Sequence, residues 1–246
     1  MTTSASNLVL FFLFTLIAEV LGTLGGFGSS LFFVSLSQFF FDFQTVLALT
    51  GLLHVFGNTA KIFLFRKSID WKLVLWLGIS SIVLTIAGAF LTTVVSFAYA
   101  KLLLGCFLIA FSIFFYLRPA FTLAPSLRNS IIGGSVAGFL AGFIGTGGAI
   151  RGLVLTSFNL EKNLFVGTSA AIDFGVDISR TIIYLDNQYL DRAMWMYIPL
   201  LLIASLAGSY LGKMVLGRMS QDAFRKFLLA LVFVMGVLLV IGQRGS

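Results

Sequence analysis

Seven ionisable side chains stand well inside apolar stretches of this 246-residue chain: Glu19, His54, Lys61, Arg151, Asp173, Asp177 and Arg180. A charged group at the centre of a membrane helix costs ~2.5–3.5 kcal/mol or more, so such groups pair with one another or line a pathway. His54, Asn58 and Lys61 recur at i, i+4, i+7 and share one helix face, and Asp173, Asp177 and Arg180 repeat that spacing. Acids mixed with cations in apolar surroundings suit passage of an ion with its charge compensated. Ionised Asp173 and Asp177 repel an anion unless Arg151 or Arg180 neutralises them or burial protonates them, which makes them candidates for proton coupling. Glu19 is a further candidate for that step. Lys61 and Arg180 are expected to meet an anion from opposite approaches. The plainer alternatives are snorkelling of Lys61, five residues from Arg66, and a structural Arg180–Asp177 pair.

Two glycine clusters supply a second kind of chemistry, Gly22-Thr23-Leu24-Gly25-Gly26-Phe27-Gly28-Ser29-Ser30 and Gly142-Phe143-Ile144-Gly145-Thr146-Gly147-Gly148. A helix that starts at such a break offers free N–H groups and the positive end of its dipole to whatever lies there. New helices are expected to start near Ser29 and near Gly148, and two such ends converging at the midplane would make an anion site. The residues assigned to that site are Gly26, Gly28, Ser29, Ser30, Gly145, Thr146, Gly147, Gly148 and Arg151. Glycine permits close backbone approach, the hydroxyls donate, and Arg151 adds a planar fork suited to oxyanions. Glu19, His54, Asn58, Lys61, Asp173, Asp177 and Arg180 are assigned to the pathway or its coupling. Isolated glycines such as Gly78, Gly88, Gly105 and Gly236 read as helix-packing positions.

The elements that must hold these groups follow from composition. Hydrophobic residues make up 59% of the chain and charged residues only 10%, against ~45–50% and ~25% in soluble domains. Too few polar residues remain to cover a soluble exterior, which excludes a soluble enzyme, a nucleic-acid binder and a disordered chain. One Cys and one His exclude disulfides and a Cys or His metal cluster, and no cofactor is expected. Neither glycine cluster runs into Lys-Ser or Lys-Thr, so no nucleotide-binding loop is present. The net charge of +7 then reads as a topology signal.

Six runs are long and apolar enough to span: Gln44–Phe65, Lys72–Thr92, Phe97–Leu117, Asn163–Leu185, Arg192–Met214 and Asp222–Gly242. The two broken segments, Leu8–Phe41 and Asn129–Phe158, divide into pieces of ~10–16 residues, or ~15–24 Å of helix, short of a bilayer. If all eight segments cross, basic loop residues divide seven to six between the faces. If the broken two are re-entrant hairpins, ten share one face and only Lys101, Arg192 and Arg244 oppose them. The positive-inside rule favours the second topology, with both termini outside the cytoplasm. Trp71, Trp76, Trp195 and Tyr197 flank span ends as an interfacial belt, and the Phe39–Phe43 run reads as lipid or packing contact.

Setting Gly26 and Gly28 on Gly145 and Gly147 gives an offset of 119, which then pairs Asp42 with Glu161, Thr50 with Ser169, His54 with Asp173, Asn58 with Asp177 and Lys61 with Arg180. The expected fold is an all-α polytopic membrane protein of two inverted repeats, 1–124 and 125–246. Each repeat is a broken hairpin plus three spans, and together they form one transmembrane domain.

With Leu24-Gly25-Gly26-Phe27-Gly28-Ser29-Ser30, Phe143-Ile144-Gly145-Thr146-Gly147-Gly148-Ala149 and Gly167-Thr168-Ser169-Ala170, the chain resembles the sulfite exporter TauE/SafE family of membrane transporters over nearly its whole length. Where that family runs three consecutive glycines, this chain has Gly28-Ser29-Ser30 and Gly147-Gly148-Ala149. The resemblance implies proton-linked export or uptake of small sulfur oxyanions or organosulfonates across a bacterial inner membrane. The expected function is thus a secondary transporter, not an enzyme, of a small sulfur-containing anion such as sulfite. Its partners are that anion, the lipid bilayer and, as an open alternative, a second copy of the chain. A passive anion channel with re-entrant half-helices is the runner-up. An Asp173–Asp177 catalytic dyad is disfavoured, because both acids sit on one helix.

Overall fold

A computed structural model describes residues 5–27, 29–37, 40–91, 100–144 and 148–242. The elements are helices: α1 (Ala5–Gly25), α2 (Ser29–Ser37), α3 (Phe43–Leu64), α4 (Trp71–Leu91), α5 (Ala100–Leu117), α6 (Leu127–Ile144), α7 (Gly148–Ser157), α8 (Lys162–Asp186), a 3-10 segment (Arg192–Tyr197), α9 (Ile198–Arg218) and α10 (Gln221–Gly242). Five helices are long and apolar enough to cross a membrane: α1, α3, α4, the continuous Arg192–Arg218 segment, and α10. The chain is therefore an all-helical membrane protein among its described residues. Of the six expected spans, Phe97–Leu117 is described from Ala100 as α5, with Phe97, Ala98 and Tyr99 outside the described residues, and α8, though 25 residues long, is diluted by its polar residues.

The first broken segment differs from expectation. α1 has 21 residues, about 31 Å, so its length alone suffices to cross. The helix runs straight through Gly22, because that glycine is a packing site: an added Cβ would meet Ser29 Oγ at 2.8 Å. The chain turns only afterwards, at Gly26, whose φ of +66° lies in the left-handed region that glycine reaches without strain. By contrast, α2 and α7, with 9 and 10 residues, are about 14 and 15 Å long and cannot cross alone.

Helix starts are fixed by side chains that take up orphan N–H groups. Asp42 accepts from Thr45 N and Thr45 Oγ1 (3.1 and 2.7 Å) at the start of α3. Asp70 accepts from Lys72 N and Leu73 N before α4, and Glu161 from Asn163 N and Leu164 N before α8. Ser220 Oγ does the same for Ala223 N in α10. α1 ends at Gly25, α2 starts at Ser29 and α3 at Phe43; α6 ends at Ile144, α7 starts at Gly148 and α8 at Lys162, each 119 positions later.

The chain forms two compact units. One comprises residues 1–69 and 170–218, the other 70–169 and 219–246. In the first, α9 packs on α1 and α3, and α2 lies against α1 and α3. Gly208 and Gly212 of α9 bring α1 in closely: added Cβ atoms would stand 2.8 Å from Glu19 Cβ and 2.6 Å from Thr23 Cβ. This is the small-xxx-small logic of membrane helices. Its core gathers Phe11, Phe33, Leu49, Leu53 and Leu201. Tyr197 belongs to that core: its ring is 5.2 Å from Phe11 and 4.9 Å from Phe41, so it does not join Trp71 and Trp195 at the exposed surface.

In the second unit, α4 packs on α6 and α5 on α10. Gly134 and Gly138 of α6 meet Leu77 and Ser81 of α4 at backbone distance, and Gly105 and Gly236 face each other where α5 crosses α10. The last pair are packing glycines, as their isolation in sequence suggests.

Candidate functional site

The buried polar groups of the first unit form two linked sets on α3, the helix that carries His54, Asn58 and Lys61 on one face. The deeper set centres on Glu19 of α1, which is fully buried. Its Oε1 lies 3.2 Å from Lys61 Nζ and accepts from Ser209 Oγ of α9 at 3.1 Å. Lys61 is itself only 4% exposed, so its stem does not carry the ammonium out to water. Gly57 of α3 and Gly208 of α9 make room for the acid, since a Cβ on either would run into the Glu19 side chain.

The second set starts at the first residue of α2. Ser29 Oγ lies 3.1 Å from His54 Nε2. His54 Nδ1 lies 2.7 Å from Arg180 Nη2 of α8 and 3.5 Å from Asp177 Oδ1. Arg180 Nη2 pairs with Asp177 Oδ1 at 2.6 Å, and Asn58 Nδ2 donates to Asp177 Oδ2 at 2.7 Å. A polar chain thus runs Ser29, His54, Arg180, Asp177, Asn58 across α2, α3 and α8. His54, Asn58 and Asp177 are buried, while the Arg180 side chain is 33% exposed. A guanidinium can only donate, so in this contact His54 Nδ1 accepts, which places the ring proton on Nε2, towards Ser29 Oγ.

The structure therefore brings together Glu19, Ser29, His54, Asn58, Lys61, Asp177 and Arg180 within one unit. Asp173 lies half-buried one turn before Asp177. Gly26 sits at the bend after α1, and Ser30 is in the first turn of α2. Gly148 opens α7, with Arg151 buried in the first turn of that helix, within the second unit. Gly28, Gly145, Thr146 and Gly147 lie outside the described residues. Ser205 and Ser209 are additions that the sequence did not single out: Ser205 Oγ donates to Leu53 O at 3.2 Å and Ser209 to the Glu19 carboxylate. Their signal was present in Ser205-xxx-Ser209 beside Gly208-xxx-Gly212, a small-residue stripe on a long apolar helix.

Asp42 stands apart from this cluster as the exposed cap of α3. Its bonds with the Thr45 hydroxyl and then the Thr45 N–H hold its carboxyl below the ordinary 3.8. A lowered carboxyl stabilises the fold above the ordinary value, and that contribution is lost as pH falls through the lowered one. Asp42→Ala is expected to cost about 1 kcal/mol at neutral pH and to converge with the wild type in acid. Thermal unfolding in detergent across that range checks both points; an equal gap at every pH would contradict the second.

The Sulfite exporter TauE/SafE family profile matches residues 11–239. A relative named "Probable membrane transporter protein", from Methanocaldococcus jannaschii, is 29% identical over 252 residues, covering 92% of this chain and 92% of its own length. No solved structure matches. Apolar helices long enough to cross a bilayer, charged groups buried between them and a family match over nearly the full length agree: the chain is a membrane transporter and belongs to the sulfite exporter TauE/SafE family.

Proposed function

We propose that the chain is a secondary transporter that exports a small sulfur-containing anion, such as sulfite or an organosulfonate, with proton coupling and by alternating access. The observation that carries this reading is the buried chain from Ser29 through His54, Arg180 and Asp177 to Asn58. Such groups are costly inside a membrane and are kept there for pathways and relays. Arg180 is the one cation of that chain with an open side, and an arginine fork fits a sulfonate or sulfite face. The first turn of α2, which begins at Ser29, adds the positive end of a helix dipole to this chain.

Inverted repeats underlie this reading, and three features support a repeat of 119. Helix boundaries recur at that interval; Asp42 and Glu161 cap α3 and α8 in the same way; and the Asn58–Asp177 bond joins two positions 119 apart. In a two-fold arrangement, equivalent residues touch only on the axis, so that axis would pass through the proposed pathway. A bacterial inner membrane, re-entrant α2 and α7 arms and termini outside the cytoplasm complete the proposal, on the loop-charge count.

The test is flux of radiolabelled sulfite into liposomes carrying the purified chain. Uptake that saturates and responds to an imposed pH gradient is expected. Linear uptake indifferent to the gradient would point to a channel instead, and uptake equal to empty liposomes would end the sulfite reading.

A further inference from the structure

We propose that the coupling proton binds His54 Nδ1 rather than a carboxylate, and that its arrival turns Arg180 into a binding site for a monoanion. This rests on the transport reading above and names the proton and anion positions within it.

The argument begins with the 2.7 Å contact between His54 Nδ1 and Arg180 Nη2, which exists only while Nδ1 is unprotonated. A proton from the aqueous phase that bonds to Nδ1 would set N–H against N–H, cation against cation, and Arg180 must leave. The new Nδ1–H has an acceptor waiting, Asp177 Oδ1 at 3.5 Å, which needs a shift of only about 0.6 Å to reach hydrogen-bond distance. Nε2–H keeps Ser29 throughout, so the ring stays in place while one bond of its partner changes. Arg180 can leave because its side chain is one-third exposed, whereas Asp177 is buried and held on its other oxygen by Asn58.

Charge sets the ligand class. With His54 neutral, Asp177 and Arg180 cancel. With the imidazolium formed, the trio carries +1, and one monoanion on the released guanidinium restores neutrality. The other groups facing this site do not change that count. On the same helix, Lys61 is neutralised by Glu19 of α1. α2 presents Ser29, and α9 presents Ser205 and Ser209, all uncharged. On α8, Asp173 lies half-buried one turn before Asp177 and is itself partnered, so it stays outside this count. The occupant inferred is an oxyanion of single charge, such as hydrogen sulfite or an alkanesulfonate, bound together with one proton.

His54 is the only histidine, so 15N-histidine labelling of the full chain in nanodiscs gives one assignable imidazole. At alkaline pH, NMR is expected to show the Nε2–H tautomer. At near-neutral pH, saturating methanesulfonate should raise the ratio of imidazolium to neutral ring about tenfold. Methanesulfonate keeps a single charge at every pH used, which separates the effect from titration of the ligand; sulfite is the second probe. In liposomes, flux of the anion should change about tenfold per pH unit in the wild type and lose that dependence in His54→Gln, whose folding is checked by thermal unfolding. An Nδ1–H tautomer at alkaline pH overturns the proposal. So does an unchanged imidazolium ratio when a thermal shift shows that the anion is bound, and transport itself would still stand. If neither probe binds or moves, the sulfur-anion reading fails and this proposal with it.

Discussion

Lys61→Met is expected to lose about 3–5 kcal/mol of stability, the largest loss from any single change in the buried cluster. Glu19 has no exposed surface, and its Oε2 finds no hydrogen-bond partner among the described residues. Lys61 is therefore its main compensation, with Ser209 contributing one neutral bond to Oε1. Removing the ammonium leaves a carboxylate walled in by α1, α3 and α9, where water cannot replace it. The double variant Glu19→Gln/Lys61→Met removes both charges and should recover most of the loss, because a pair replaced as a pair leaves nothing uncompensated. Chemical denaturation in a mild detergent measures both. A Lys61→Met variant within about 0.5 kcal/mol of the wild type would mean that the pair is not what holds α1 against α3.

Asp177→Asn should have the second-largest effect, and on transport more than on stability. The substitution removes the charge partner of Arg180 and the acceptor that His54 faces, while an amide can still bond to Asn58. The stability cost is set at about 2 kcal/mol, below that of Lys61→Met, since Arg180 is one-third exposed and water shares its charge. Transport should fall at least tenfold, a loss of about 1.4 kcal/mol in the rate-limiting interaction. The informative companion is the exchange Asn58→Asp with Asp177→Asn. It rebuilds an amide–carboxylate bond between α3 and α8 with the roles reversed but leaves Arg180 without its neighbouring acid, so stability should return only in part. The carboxylate then stands on the other helix, away from its i, i+3 relation to Arg180, and transport should stay low. Recovery of flux in the exchange would show that the bond, not the position of the charge, is what matters.

Much of this arrangement was legible in the chain. The glycine breaks placed the starts of α2 and α7 at Ser29 and Gly148, because local backbone propensity decides where a helix begins. The i, i+4, i+7 spacing placed His54, Asn58 and Lys61 on one face, a property of any α-helix. The 119-residue offset pairs Asn58 with Asp177 as equivalent positions, but that the two touch is not contained in it. What could not be read was partnership across helices. Lys61 looked like an anion partner or a snorkelling side chain five residues from Arg66; nothing local says that Glu19, 42 positions earlier, arrives beside it. That depends on α1 docking to α9 through Gly208 and Gly212. Tyr197 looked interfacial for the same reason: its place near a span end is visible in sequence, but the Phe11 and Phe41 rings that enclose it come from α1 and the α2–α3 connection. The length of α1 is hidden in the sequence because Gly22 reads as part of a break, whereas in the fold Ser29 packs where its side chain would be.

The setting of Glu19 has a consequence for how this chain can vary. Its carboxylate occupies space that exists because residue 57 on α3 has no side chain, while Gly208 on α9 faces the Cβ of residue 19 and the Leu16 carbonyl. Positions 19 and 57 consequently form a single unit of inheritance. An alanine drifting into 57 crowds the acid, whereas after the acid is lost that glycine becomes free to grow; position 208 stays small in either case, because its neighbours include backbone and Cβ atoms. Transporters of this type that lack an acid at position 19 should carry larger residues at position 57, and those that retain it should not.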